Sequence, residues 1–261
     1  MLNLNVLSAQ VTCLVIYFLN LLITKLIKMK KLVTVLGLAA LVMTGCKEEK
    51  NDTNLGSDET KEEVKVGVHE ETVNYDSFGV REPNIPKGLK EGDKAPDIML
   101  TMQDGSRISL EGLYKDQPLV LFFYRGEWCP ICIKHLSKFA EEAKKIEERG
   151  VKLVAITSES YDNVNKTKEK TKANFTIVSD TDGSIMEAFD VDFDVTENYQ
   201  KRIQNELGTS IAKSNASGEA VLPVPATYII NTNGDVIYVQ FNPDYKDRAT
   251  VQDIIDHLPA K

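Results

Sequence analysis

The sequence predicts an α/β fold: a central mixed β-sheet with helices on both faces, preceded by an extra N-terminal β-hairpin. Three observations carry the prediction. The run PLVLFF at 118–123 is apolar throughout, as a strand buried on both faces must be. A segment with a helical apolar face follows it, then further β-rich and helical segments in alternation. Two turn-forming dipeptides, Asp104–Gly105 and Asn233–Gly234, each sit between short β-rich runs.

The elements follow in order. DIMLTMQDGSRISLEGL, 97–113, alternates around Asp104–Gly105 and predicts the first hairpin. PLVLFF is the central strand. Ile133, Leu136, Phe139, Ala140, Ala143 and Ile146 then recur at near-helical spacing, with lysine and glutamate on the opposite face and Gly150 as C-cap. VKLVAITSE, 151–159, predicts the next strand, 161–172 a polar helix and FTIVSD, 175–180, a third core strand. Ser184–Phe189 predicts a short helix, and 195–221 an inserted helix and loop. ATYIINTNGDVIYVQ, 226–240, predicts a hairpin about Asn233–Gly234, and Val251, Ile254, Ile255 and Leu258 an apolar stripe on a C-terminal helix.

This fold occupies residues 92–261; two other textures precede it. MKKLVTVLGLAALVMTGC, 29–46, has a basic start, an apolar stretch and small residues before a cysteine, the layout of a signal peptide. It resembles a bacterial lipoprotein signal, which implies cleavage before Cys46, lipidation of Cys46 and a membrane-anchored chain in the cell envelope. Lys47, by analogy with lipoproteins of two-membrane bacteria, favours the outer membrane, on its periplasmic or surface face. The apolar stretch 11–27 lies upstream of Met29, consistent with a true start at Met29 or an additional membrane helix. Removing 1–45 removes four lysines and no acids, which takes the net charge from −8 to near −12. Residues 46–91 then read as an acidic, flexible tether with too little apolar surface at its start to order itself, and its later part, to about Lys90, with three acids, Pro83 and Pro86, is expected to wrap the domain without regular structure. A chain this acidic is a poor nucleic-acid binder.

Of the four cysteines, Cys13 and Cys46 fall in or beside the leader, so Cys129 and Cys132 alone belong to the folded part. They lie in EWCPIC, 127–132, where the central strand gives way to a helix. At a helix N-terminus the free N–H groups and the macrodipole favour a thiolate, which points to Cys129 as the attacking group and Cys132, one turn along, as its partner. Arg125 adds positive charge. A structural zinc site needs about four ligands, and one cysteine pair with His135 does not supply them. Two inert core cysteines are the plain alternative; a CxxC between strand and helix favours redox chemistry.

WCPIC resembles the active site of the thioredoxin fold, and VPAT the loop that carries its cis-proline, which would make Pro225 that residue. The longer stretches FYRGEWCPIC, 123–132, and LPVPATYIINTNGDVIYVQFNPDYKDRA, 222–249, resemble the peroxiredoxin-like, AhpC/TSA-type branch over residues 92–258. The resemblance implies a thioredoxin-like fold and a thiol peroxidase that needs no cofactor, acts on hydrogen peroxide or organic hydroperoxides and is reset by a thioredoxin-like reductant protein. It places Arg248 of the DYKDRA segment near the thiolate, where a solvent-facing position is the alternative. Thr227 either lines the site or is a β-branched strand residue, and Tyr124, Gly126 and Trp128 shape the pocket. One departure stands out. Main peroxiredoxins carry threonine or serine three residues before the attacking cysteine, and here that residue is Gly126.

On this reading Cys129 attacks the O–O bond, backbone N–H groups with Arg125 or Arg248 stabilise the leaving oxygen, and Cys132 resolves the sulfenic acid. Two other functions fit the leader and the fold. One is a membrane-anchored thiol-disulfide oxidoreductase acting on exported proteins; the other is a non-catalytic binding lipoprotein.

Overall fold

The computed structural model describes residues 73–259. The leader, Cys46 and the tether up to residue 72 lie outside the described residues. Among those described, no helix is long and apolar enough to cross a membrane.

Five strands form the central sheet: β3 (Leu119–Phe123), β4 (Lys152–Thr157), β5 (Thr176–Ser179), β8 (Ala226–Ile230) and β9 (Val236–Phe241), in the order β5-β4-β3-β8-β9. β3, β4 and β5 run parallel, and β8 and β9 are antiparallel to their neighbours. All five residues of β3 are buried. Val120 and Phe122 face one core layer, Leu119, Leu121 and Phe123 the other, the alternation that a strand's two-residue period imposes.

The predicted first hairpin forms from β1 (Met99–Thr101) and β2 (Arg107–Ser109). Its second arm is shorter than the alternation suggests. Ser109 accepts a hydrogen bond from the Gly112 N–H and so caps a short helix, α1 (Leu110–Tyr114). The long helix α2 (Pro130–Glu147) buries Cys132, Leu136, Phe139, Ala143 and Ile146 against the sheet. Each fully buried large apolar side chain in that stripe contributes about 1.5–3 kcal/mol. α3 (Tyr161–Thr171) and α4 (Ser184–Ala188) follow as expected. The β8–β9 turn is tied by Asn231, whose Oδ1 accepts from the N–H groups of Asn233 and Asp235. Gly234 is required there twice over: its φ is +80°, and a Cβ would meet the Tyr114 hydroxyl at 2.8 Å.

Two regions differ from the sequence expectation. The insertion holds α5 (Glu197–Leu207) and α6 (Ile211–Ser214), and it is clasped by an unforeseen two-stranded sheet of β6 (Asp192–Asp194) and β7 (Val221–Pro223). Three-residue strands are too short to show a period. The second region is the stretch to about Lys90, expected to wrap the domain without regular structure but holding a helical turn. Residues 73–91 are packed on the domain: a 3-10 helix spans Tyr75–Phe78, Val80 is buried, and the Gly79 carbonyl accepts from the Thr196 N–H at the start of α5. Val80, Ile85 and Pro86 supply enough apolar surface to anchor a segment whose charges stay outside. The last helix, α7 (Val251–His257), begins with a capping box formed by Thr250 and Asp253.

Candidate active site

The Tyr124 N–H donates to the Ile156 carbonyl at 3.0 Å, so the chain stays with the sheet one residue beyond β3. It then turns through 125–129, where the Cys129 N–H donates to the Gly126 carbonyl at 3.2 Å. Pro130 opens α2 at a position whose N–H would have no helical partner. Cys129 is the N-cap, and its Sγ accepts from the Cys132 N–H at 3.4 Å. Both thiols are free and buried, Cys129 at 1% exposure and Cys132 at 0%.

Each sulfur has its own guanidinium. Arg125 Nη2 donates to Cys129 Sγ at 3.4 Å, and Arg248 Nη2 donates to Cys132 Sγ at 3.3 Å. Arg125 is held in an aromatic cage: its guanidinium lies 3.5 Å from the Tyr245 ring centre, 5.4 Å from Trp128 and 5.6 Å from Tyr199, and Nη1 donates to the Tyr199 hydroxyl. Arg248 is steadied by the Tyr245 carbonyl, which accepts from its Nε at 2.7 Å. The N-terminal segment supports this cage from behind, since Gly79 packs against the Tyr199 ring and Phe78 meets Tyr245 edge-on at 6.2 Å.

The two thiols differ in how readily they ionise. Burial opposes charge on Cys132, yet the hydrogen bond with Cys129 and the charges of Arg248 and Arg125 outweigh it and hold Cys132 well below the ordinary thiol range. Cys129 is pushed up by that same hydrogen bond, by burial and by the Cys132 charge, with Arg125 pulling the other way. Two arginines, and not the helix terminus alone, set the field at the sulfurs, and its direction favours charge on Cys132 over Cys129. The nearby His135 ring is driven down to about 4, first by burial, and its Nε2 lies 2.9 Å from the Ala249 carbonyl, so it is neutral near pH 7.

Gly126 has a steric reason to be glycine. A Cβ built there would stand 2.5 Å from Trp128 Nε1 and 2.7 Å from Glu159 Oε1. Glu159, two residues beyond β4, is wholly buried and accepts from the Glu127 N–H at 2.7 Å. Its other oxygen and the Trp128 indole N–H have no hydrogen-bond partner among the described residues. Burial, opposed by the Glu127 N–H and reinforced by the Glu127 and Cys132 charges, raises the carboxyl from 4.5 to about 8.

A folded value above the unfolded one means that Glu159 stabilises the fold below about pH 4.5, and that this contribution is lost as pH rises through about 8. Chemical denaturation should therefore show Glu159→Gln losing less stability than the parent between about pH 5 and about pH 9, by on the order of 4 kcal/mol. Equal losses in the two proteins would show that Glu159 is charged throughout.

The remaining predicted residues divide. Tyr124 is fully buried, and burial with the Glu159 charge pushes its hydroxyl far up, so it stays neutral. Trp128 is nearly buried beside Arg125. Thr227 pairs with Phe122 in the sheet and shares a face with Ile229, towards the layer that holds both cysteines. Among the described residues the two sulfurs take hydrogen bonds from Arg125, Arg248 and the Cys132 N–H. Pro225 is buried before β8, but its peptide bond is not cis; among the described residues that form occurs at Glu82–Pro83. The Val224 N–H donates to the Val191 carbonyl at 2.7 Å, which keeps the strand-like path from β7 into β8. The described residues contain no group of three or more His, Cys, Asp or Glu placed to hold a metal.

Sequence reasoning missed Tyr199, Tyr245 and Glu159. Tyr245 lies inside the DYKDRA stretch and could have been weighed with Arg248. Glu159 lies in the buried run just past β4, where an acid is uncommon. Tyr199 carries no such signal, because it comes from the inserted helix.

Residues 91–239 match the AhpC/TSA family. The chain is similar to peroxiredoxin Q, chloroplastic, of Oryza sativa subsp. japonica, 27% identical over 159 residues, which is 60% of this chain and 62% of the relative. It is also similar to the thiol-disulfide oxidoreductase ResA of Bacillus subtilis (strain 168), 29% identical over 154 residues, 59% of this chain and 68% of that protein. The crystal structure of reduced Prx3 from Vibrio vulnificus in complex with H2O2 superposes with a TM-score of 0.52 at 16% identity, covering 64% of this chain and 97% of that one, a likeness of fold. The match spans about 62% of the length of the rice relative.

Proposed function

The chain belongs to the AhpC/TSA family, and from that premise we propose that it is a thiol-dependent peroxidase in which Cys129 attacks the peroxide and Cys132 resolves the product. The observation that carries the reading is the pairing of two free cysteines, one turn apart at a helix start, with one guanidinium each. Cys132, the resting thiolate, takes the Cys129 proton, and Cys129 attacks one oxygen of the O–O bond. The S–O bond forms as the O–O bond breaks, and Arg125, whose Nε has no hydrogen-bond partner among the described residues, supplies a donor for the charge that develops on the leaving oxygen. The departing alkoxide or hydroxide takes a proton to become alcohol or water. Cys132 then displaces water from the Cys129 sulfenic acid to form the disulfide, and an external thiol donor returns the pair to the dithiol.

Both sulfurs are buried, so peroxide entry requires the 125–129 turn or the loop carrying Tyr245 to yield, and the first step is gated by that motion. Stopped-flow mixing of the reduced protein with hydrogen peroxide and with an organic hydroperoxide is the test, read by the fluorescence of Trp128, the single tryptophan. Second-order consumption well above that of a free thiol is expected; a rate no faster than a free thiol removes the peroxidase reading. The likeness to ResA favours a second reading, disulfide exchange with exported proteins, which the reduction potential of the pair distinguishes.

A further inference from the structure

The charges around the dithiol do not balance once the sulfurs are joined. Arg125 is 3% exposed and caged by aromatic rings, which offer a face but no countercharge. Arg248 is half-buried, with a backbone carbonyl on Nε and Cys132 Sγ on Nη2. The ion pairs among the described residues all involve lysines, and none joins Arg125 or Arg248 to a carboxylate. Glu159, the buried acid on this side of the sheet, is mostly protonated near pH 7. The anions available to these two cations are therefore the sulfurs themselves.

We infer that Arg125 and Arg248 stabilise the reduced, thiolate-bearing pair over the disulfide, so that the Cys129–Cys132 disulfide is readily reduced and the protein is a poor reductant of other disulfides. A disulfide is neutral. Its formation leaves two guanidiniums, one of them buried, without the negative charge that offsets their desolvation. Stabilising the reduced form is what makes a dithiol pair oxidising. In the resetting step two donor thiols give up two electrons and two protons, their sulfurs join, and the Cys129–Cys132 bond breaks. One proton returns to the pair and the other is released, because one of the two sulfurs remains a thiolate between the arginines. Ordinary thiols of the glutathione class, or a dithiol protein, suffice as donors. Supplying electrons to the disulfides of exported proteins runs uphill.

This inference rests on the redox reading of the pair, and the test separates the two. The full chain is oxidised with diamide and checked by thiol-alkylation mass shift for a disulfide joining Cys129 to Cys132. Failure to form it would sink the redox reading itself. The disulfide is then equilibrated against graded ratios of reduced to oxidised glutathione and read by Trp128 fluorescence and alkylation. The expectation is that Arg125→Met and Arg248→Gln each lower the equilibrium constant for reduction about tenfold, which is about 30 mV for this two-electron couple. Both variants should also raise the pH at which iodoacetamide first alkylates the pair, a change that loss of packing alone would not cause. If Arg125→Met does not fold, Arg248→Gln carries the test, since its side chain is half-buried at the edge of the site. Equilibrium constants within about twofold of the parent, or moved in the opposite direction, would overturn the inference while leaving the disulfide chemistry intact.

Discussion

Replacing Cys129 with serine is expected to slow peroxide consumption by at least roughly a thousandfold, because the attacking sulfur is lost and an alcohol at the same N-cap is not ionised near neutral pH. The variant should still fold, since serine is a favoured N-cap and can accept the Cys132 N–H in place of the sulfur. Cys132→Ser should behave differently. It leaves a single thiol between Arg125 and the helix start, so the shared charge moves onto Cys129. That variant is expected to consume one equivalent of peroxide rapidly and then stop, with a Cys129 sulfenic acid that dimedone traps and mass spectrometry locates. The pair of results assigns the roles. Should Cys129→Ser keep the parent rate, or should the first oxidised sulfur be Cys132, the order of attack proposed above is reversed.

Gly126→Thr is the second large effect, and its direction runs against the family comparison. Main peroxiredoxins place a hydroxyl side chain at the matching position, so restoring one would be expected to help a peroxidase. Here the space is taken: a Cβ alone would come within 2.5 Å of Trp128 Nε1 and 2.7 Å of Glu159 Oε1, and threonine adds two more heavy atoms. Neither neighbour can retreat cheaply, since Trp128 packs beside Arg125 and Glu159 is anchored by the Glu127 N–H. Overpacking of this kind costs about 3 kcal/mol in stability. Displacing Trp128 also loosens Arg125, so the peroxide rate should fall together with the urea midpoint. A Gly126→Thr protein of unchanged midpoint and faster peroxide consumption would mean that the turn re-forms around the new side chain.

The two effects share an origin. The 125–129 turn is determined less by its own residues than by what surrounds it: Glu159 from just past β4, Tyr199 from the inserted helix and Tyr245 from the loop after β9. A turn built this way holds both sulfurs out of solvent.

The features legible in the chain are local or periodic. The apolar run at 118–123, the helical stripe from Ile133 to Ile146 and the two Asx–Gly turns are set by short-range geometry, and each is legible in a single chain. So are the placement of Cys129 and Cys132 at a strand-to-helix junction and the AhpC/TSA character of their flanking residues. The tertiary structure alone decided what those cysteines face. Arg248 reaches Cys132 across 116 positions of sequence, and Arg125 meets Tyr199 across 74. Whether the charge rests on one sulfur or the other follows from that field, and no spacing encodes it. The same holds for Gly126, read in the sequence as a missing hydroxyl and found in the fold to be the one residue small enough for its place. Pro225 and the short 3-10 helix at Tyr75–Phe78 differ from expectation for a related reason. A peptide isomer or a docked strap depends on the surface it lies against, and that surface is assembled from residues far away in the chain.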